Sequence, residues 1–124
     1  MTKNILIIDD EELITKSLIK LLRSQGYAAS IAAGGTEALE KIKTDNFDLI
    51  ICDVRMPGMD GIETIKKIRA YLEKSDKKSI PEVLITGYAD AEKYESAIGL
   101  EVADYLYKPF DNDEFMHIVR KTIG

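Results

Sequence analysis

Two adjacent aspartates, Asp9 and Asp10, close the apolar run Ile5-Leu6-Ile7-Ile8. A third, Asp53, closes Leu49-Ile50-Ile51-Cys52, and Lys108 follows Tyr105-Leu106-Tyr107. Each lies just past a run with the character of a buried strand. If those strands lie parallel in one sheet, three carboxylates and an ammonium converge at its carboxyl edge, where open α/β sheets bind their ligands. Carboxylates held close together repel, so near neutral pH they either take up protons or bind a cation. Oxygen ligands of this kind suit Mg²⁺, which keeps several waters and commonly bridges carboxylates to phosphate oxygens. The neighbouring ammonium can pair with an acid or hold an incoming anion. Together they make a site for a cation and an anion at once.

Other readings apply to each residue alone. Asp9 and Asp10 could simply cap a helix that begins near Glu11, and Asp53 could start a turn before Pro57-Gly58. Capping does not explain Asp53, and two separate strands delivering acids to one edge favour a site. Lys108-Pro109 is either an ordinary strand-to-helix turn or a cis peptide that directs the lysine, since cis costs an X–Pro bond only about 0.5–1 kcal/mol. Thr86 ends another apolar run before Gly87, so its hydroxyl is expected in the cleft. Tyr105, taken alone, is a half-buried packing ring.

The elements that must position these groups alternate along the chain. Strands are expected at Asn4–Asp9, Tyr27–Ala32, Asp48–Asp53, Glu82–Thr86 and Ala103–Tyr107; the first, third and fourth are nearly continuous in Ile, Leu and Val, as strands covered on both faces are. Between them, Ile14, Leu18, Leu21 and Leu22 form a helical stripe stopped at Gly26. Ala38, Leu39 and Ile42 repeat it after Thr36 as N-cap, and Ile62, Ile65, Ile68 and Leu72 mark a third helix. A fourth is expected from Asp90 toward Ile98. The last starts at Asp111 with Glu114 as capping-box partner, turning Phe115, Ile118, Val119 and Thr122 to the sheet. Five strand–helix pairs with short links imply one parallel sheet with helices on both sides.

The 124 residues fit a single domain, 1–124, with no visible linker or repeat. A formal net charge of -5 argues against a nucleic-acid footprint, which needs a concentrated basic face. The single cysteine rules out an internal disulfide and suits a reducing cytoplasm. The N-terminal apolar run is too short for a signal peptide, and no segment is long enough to span a bilayer. Lys74–Ser79 reads as a solvated loop, Cys52 as buried on the face opposite Asp53, Met56 and Met59 as loop packing, and His117 as a surface residue.

Together these residues resemble the receiver domain of bacterial two-component response regulators. The stretches that carry the resemblance are ILIIDDEE at Ile5–Glu12, LIICDVRMPGMDG at Leu49–Gly61, VLITGYA at Val83–Ala89 and ADYLYKPF at Ala103–Phe110. The family fold is a flavodoxin-like (βα)₅ sheet of order 2-1-3-4-5, which the general rule for ligand binding in such sheets takes as an example. The resemblance implies that Asp53 is the phosphoacceptor for a sensor histidine kinase or phosphotransfer protein. It implies Asp10 as the principal Mg²⁺ ligand, helped by Asp9, Asp53 and the backbone carbonyl of Arg55, with Mn²⁺ able to substitute. Thr86 and Lys108 match the groups that hold phosphoryl oxygens, and Tyr105 matches the switch aromatic.

Thr86 is then expected to move toward the phosphoryl group, with the Tyr105 ring filling the space it leaves. That repacks the face of the fourth helix, fifth strand and last helix, which addresses an output domain, a target protein or a second copy. Arg55 and Tyr88, two residues after Asp53 and Thr86, are expected to gate water from the acyl phosphate. The chain is expected to act as a stand-alone receiver or as one cut from a larger regulator, phosphorylating itself from a phosphodonor with Mg²⁺ and dephosphorylating itself rather than turning over a substrate. The runner-up is a phosphatase or phosphotransferase with an aspartyl nucleophile. Haloacid-dehalogenase-like enzymes place a second acid two residues after that nucleophile, where this chain has Arg55. A flavodoxin-like cofactor binder would need a phosphate-cradling loop where this chain has Asp9-Asp10-Glu11-Glu12.

Overall fold

The computed structural model describes residues 2–87 and 94–124, and the expected start of the fourth helix at Asp90 and the gating role of Tyr88 lie outside the described residues. Strands and helices alternate in chain order: β1 (Asn4–Ile8), α1 (Glu12–Ser24), β2 (Ala28–Ala32), α2 (Gly35–Thr44), β3 (Leu49–Asp53), α3 (Gly61–Lys74), β4 (Glu82–Thr86), α4 (Tyr94–Gly99), β5 (Asp104–Tyr107) and α5 (Asn112–Ile123). The strands form one parallel sheet in the order β2-β1-β3-β4-β5. This is the flavodoxin-like arrangement that the motifs imply.

The three central strands are apolar on both faces because both faces are covered. Alternation sends Leu6, Ile8, Ile50, Cys52 and Leu84 to a core shared with α2, α3 and α4. It sends Ile5, Ile7, Leu49, Ile51, Val83 and Ile85 to a second core beneath α1 and α5. Full burial of each such side chain contributes about 2 kcal/mol. Cys52 is wholly buried, and burial, with the Asp53 charge beside it, pushes its thiol well above the ordinary range.

One helix start and one buried helix face differ from the pattern read in the sequence. Thr36 does not cap α2: Gly34 is the N-cap and Thr36 sits exposed in the first turn. The start is set by packing, because a Cβ at Gly35 would come within 2.5 Å of Met59 Sδ and Thr64 Oγ1. The Glu37 carboxylate reaches back to accept from Ala33 N–H at 3.0 Å. In α1 the buried face is Thr15, Leu18, Ile19 and Leu22, not a stripe through Ile14, which is 40% exposed. Thr15 can be buried because its hydroxyl donates to the carbonyls of Glu11 and Glu12. Gly26, at φ +91°, ends α1 as expected. The capping box of Asp111 and Glu114 opens α5.

Candidate functional site

β1 and β3 are adjacent, with Ile8 opposite Cys52, so Asp9 and Asp53 leave the sheet side by side. One carboxylate oxygen from each of Asp9, Asp10 and Asp53 falls within 4.8 Å of the others. Asp9 and Asp53 are buried, at 2% and 1% exposure, whereas Asp10 is open to solvent. Burial of Asp9, opposed by a backbone hydrogen bond and reinforced by repulsion from Asp53, pushes its carboxyl up from 3.8 to about 6. A buried acid held this far above its ordinary value gains by binding a cation. Three hard oxygen donors, two of them buried, fit a divalent ion such as Mg²⁺.

Asp53 is held from two sides. Arg55 N–H donates to Oδ1 at 3.1 Å, and Lys108 Nζ donates to Oδ2 at 2.8 Å. Partial burial disfavours the Lys108 charge, but the hydrogen bond and charge of Asp53, then Glu11 and Asp9, hold its ammonium above the ordinary lysine range. Lys108 follows β5 directly, and its backbone N–H donates to the Thr86 carbonyl at 2.8 Å, which ties the ends of β4 and β5 together. The Lys108–Pro109 peptide is cis.

Thr86 is half-buried at the end of β4, paired across the sheet with Tyr107. Strand alternation puts it on the same face as Leu84 and Tyr105. Tyr105 packs against the α2–α3–α4 core, and its hydroxyl donates to the Ala97 carbonyl of α4 at 2.9 Å. The ring therefore links the strand beside Lys108 to α4.

The loop from Val54 to Asp60 returns the chain from the sheet edge to α3. Gly61 lets α3 rest on the strand end, because a Cβ there would overlap the Asp53 carbonyl oxygen and come within 2.8 Å of its carbon. Gly61 N–H donates to the Val54 carbonyl, and Asp60 caps the helix. Glu11 is the residue that sequence reasoning passed over. Its Oε1 lies 3.4 Å from Lys108 Nζ. The available signal was a glutamate at the head of α1, where a short polar residue caps better.

One open cleft runs from Asp9, Arg55, Gly87 and Lys108 along α1 past Leu13 and Ile14. Leu13 is 85% exposed, an apolar rim beside charged groups. Such an arrangement can hold a divalent cation, attract an anion to the same point and present Asp53 as a nucleophile.

The chain is similar to proteins of one family. The family model described as the response regulator receiver domain matches residues 5–120. The chain is 40% identical over 121 residues to the transcriptional regulatory protein ZraR of Klebsiella oxytoca, covering 98% of this chain and 26% of that protein. It thus spans about a quarter of the length of that relative. Among solved structures, the chemotaxis protein CheY4 of Vibrio cholerae superposes with a TM-score of 0.87 at 30% identity, covering 99% of this chain and 100% of that one. The receiver domain of sensor histidine kinase PA1611 from Pseudomonas aeruginosa PAO1 has a TM-score of 0.84 at 28% identity, covering 100% and 99% of the two chains. It was solved with a magnesium ion coordinated in its active site cleft.

Proposed function

The chain belongs to the response regulator receiver family, and on that premise we propose that Asp53 is its phosphoacceptor. The observation that carries this is the Lys108 ammonium 2.8 Å from Asp53 Oδ2, beside two further carboxylates in one cleft. A carboxylate oxygen of Asp53 attacks the phosphorus of a donor phosphohistidine. The O–P bond forms, the P–N bond breaks, and its electron pair stays on the imidazole nitrogen, which takes up a proton. The product is an aspartyl phosphate. Such transfers depend on positioning and on neutralising charge at the phosphoryl oxygens. The Lys108 ammonium and the Thr86 hydroxyl donate to those oxygens.

Asp9, Asp10, Asp53 and the Arg55 backbone carbonyl would hold Mg²⁺, with Mn²⁺ as a substitute. When bound, the ion supplies positive charge against which the acids and the phosphoryl group can sit together. Asp10 is the most accessible of the three carboxylates, and Asp9 would join it in its ionised form. Slow hydrolysis of the acyl phosphate, with Arg55 restricting water, returns the site to rest.

The donor is a histidine kinase or phosphotransfer protein, and the apolar rim of Leu13 and Ile14 beside the cleft gives it a surface to dock on. The readout is the face of α4, β5 and α5, where Ile98 and Tyr107 are exposed, 46% and 56%. That face addresses an output domain, a target protein or a second copy of the chain. No helix among the described residues is long and apolar enough to cross a membrane, and we place the chain, residues 1–124 as one receiver domain, in the cytoplasm. Arg55, where an aspartyl phosphatase of the dehalogenase type needs an acid, disfavours that alternative. Intact-mass analysis after acetyl phosphate treatment tests the assignment. One phosphoryl group should appear on the native chain with Mg²⁺, and none on Asp53→Asn. Equal labelling of both would overturn it.

A further inference from the structure

Glu11 occupies the N-cap of α1 without making a capping bond. Short side chains are preferred there because their oxygen reaches the free N–H groups of the first turn. A position that gives up its local preference is expected where function claims it. The Glu11 backbone is fixed: its carbonyl accepts from Thr15 N–H at 3.0 Å, and its N–H donates to Asp9 Oδ1 at 3.0 Å. Its side chain is thereby delivered to the rim of the cleft, 3.4 Å from the ammonium that donates to Asp53.

Resting on the reading of Asp53 as phosphoacceptor, we propose that Glu11 is a specificity-determining residue: by sharing Lys108 with Asp53 it makes the cleft select phosphodonors by their negative charge. An incoming phosphoryl group must draw Lys108 toward itself while it approaches the Glu11 carboxylate. Charges of one sign lining a cleft focus their field at its mouth, so a donor with an extra negative charge is held back more. A protein donor offsets that repulsion by docking on Leu13 and Ile14, contacts that a small molecule lacks. The site thereby favours a docked kinase over small phosphorylated metabolites.

The test compares initial rates of Asp53 phosphorylation by acetyl phosphate, a dianion near neutral pH, and by phosphoramidate, a monoanion. Both are measured on the full chain at saturating Mg²⁺. Glu11→Gln should raise the acetyl phosphate to phosphoramidate rate ratio by at least about threefold, with the gain shrinking as salt screens the cleft. Glu12→Gln removes the same charge one residue away, from a carboxylate that pairs with Lys16, and should leave the ratio unchanged. An unchanged ratio in Glu11→Gln, or an equal rise in both variants, overturns the proposal. Glu11→Ser, with a good capping side chain, must behave as Glu11→Gln does; a native ratio there also overturns it. Absence of labelling by both donors in the native chain and in Glu11→Gln alike would instead remove the reading of Asp53.

Discussion

At Asp53 the carboxylate is fixed by Arg55 N–H on one oxygen and Lys108 on the other, and Gly61 packs against its backbone. These contacts explain why so short a stretch of sequence carries so much information. Asp53 needs an adjacent strand ending in acids, a lysine after β5, and a residue without a side chain at the head of α3. The first two requirements are legible as residue types at strand ends. The third is visible only as a glycine in a loop, and its purpose emerges from the distance. Gly61→Ala should destabilise the fold by about 3 kcal/mol, as overpacked sites do, and slow phosphorylation by acetyl phosphate. Denaturant unfolding and a rate assay check it; a variant of native stability would show that α3 can shift freely. Glu11 was hidden because a glutamate after two aspartates looks like one more solvated acid, and only the fold brings Lys108 to it.

Among the elements, the central strands were readable because their apolar runs have no polar face. The start of α2 was not, since packing of Gly35 against Met59 and Thr64 outweighs the capping preference of Thr36. The stripe of α1 was misread for a related reason. Thr15 satisfies its hydroxyl within the helix and so can be buried, while Ile14 is left at the cleft rim. The link from site to surface also belongs at this scale. Tyr105 joins β5 to α4 through the Ala97 carbonyl, and Thr86 shares its sheet face. A phosphoryl group can bias α4 only by favouring one arrangement of these two side chains. Tyr105→Ala should keep the phosphorylation yield within about twofold of native while abolishing the phosphorylation-dependent amide shifts of α4 and β5. Native-like shifts in that variant, read by NMR, would remove Tyr105 from the switch.

For the whole molecule, the acids that make the site also oppose folding. Asp9 has its folded value raised to about 6 from 3.8, so the folded chain takes up this proton before the unfolded chain does. The stabilisation from that proton is therefore full below 3.8 and is lost as pH rises through about 6, an effect of about 3 kcal/mol. Mg²⁺ works in the other direction, since it needs the ionised acid. The rise in Tm that the ion produces should be large at neutral pH and shrink as pH falls through about 6. Thermal melts with and without Mg²⁺ across that range check both signs, and a Mg²⁺ effect that grew on acidification would contradict the ligand set. The parallel order of the sheet places these groups together, which is why a motif scattered from Asp9 to Lys108 could be read as one site. The most direct measurement is borohydride reduction of the chain after acetyl phosphate treatment, followed by peptide sequencing by mass. The account predicts homoserine at position 53, formed only when Mg²⁺ and the phosphodonor are both present. An unaltered Asp53, or reduction at Asp9 or Asp10 instead, would contradict it.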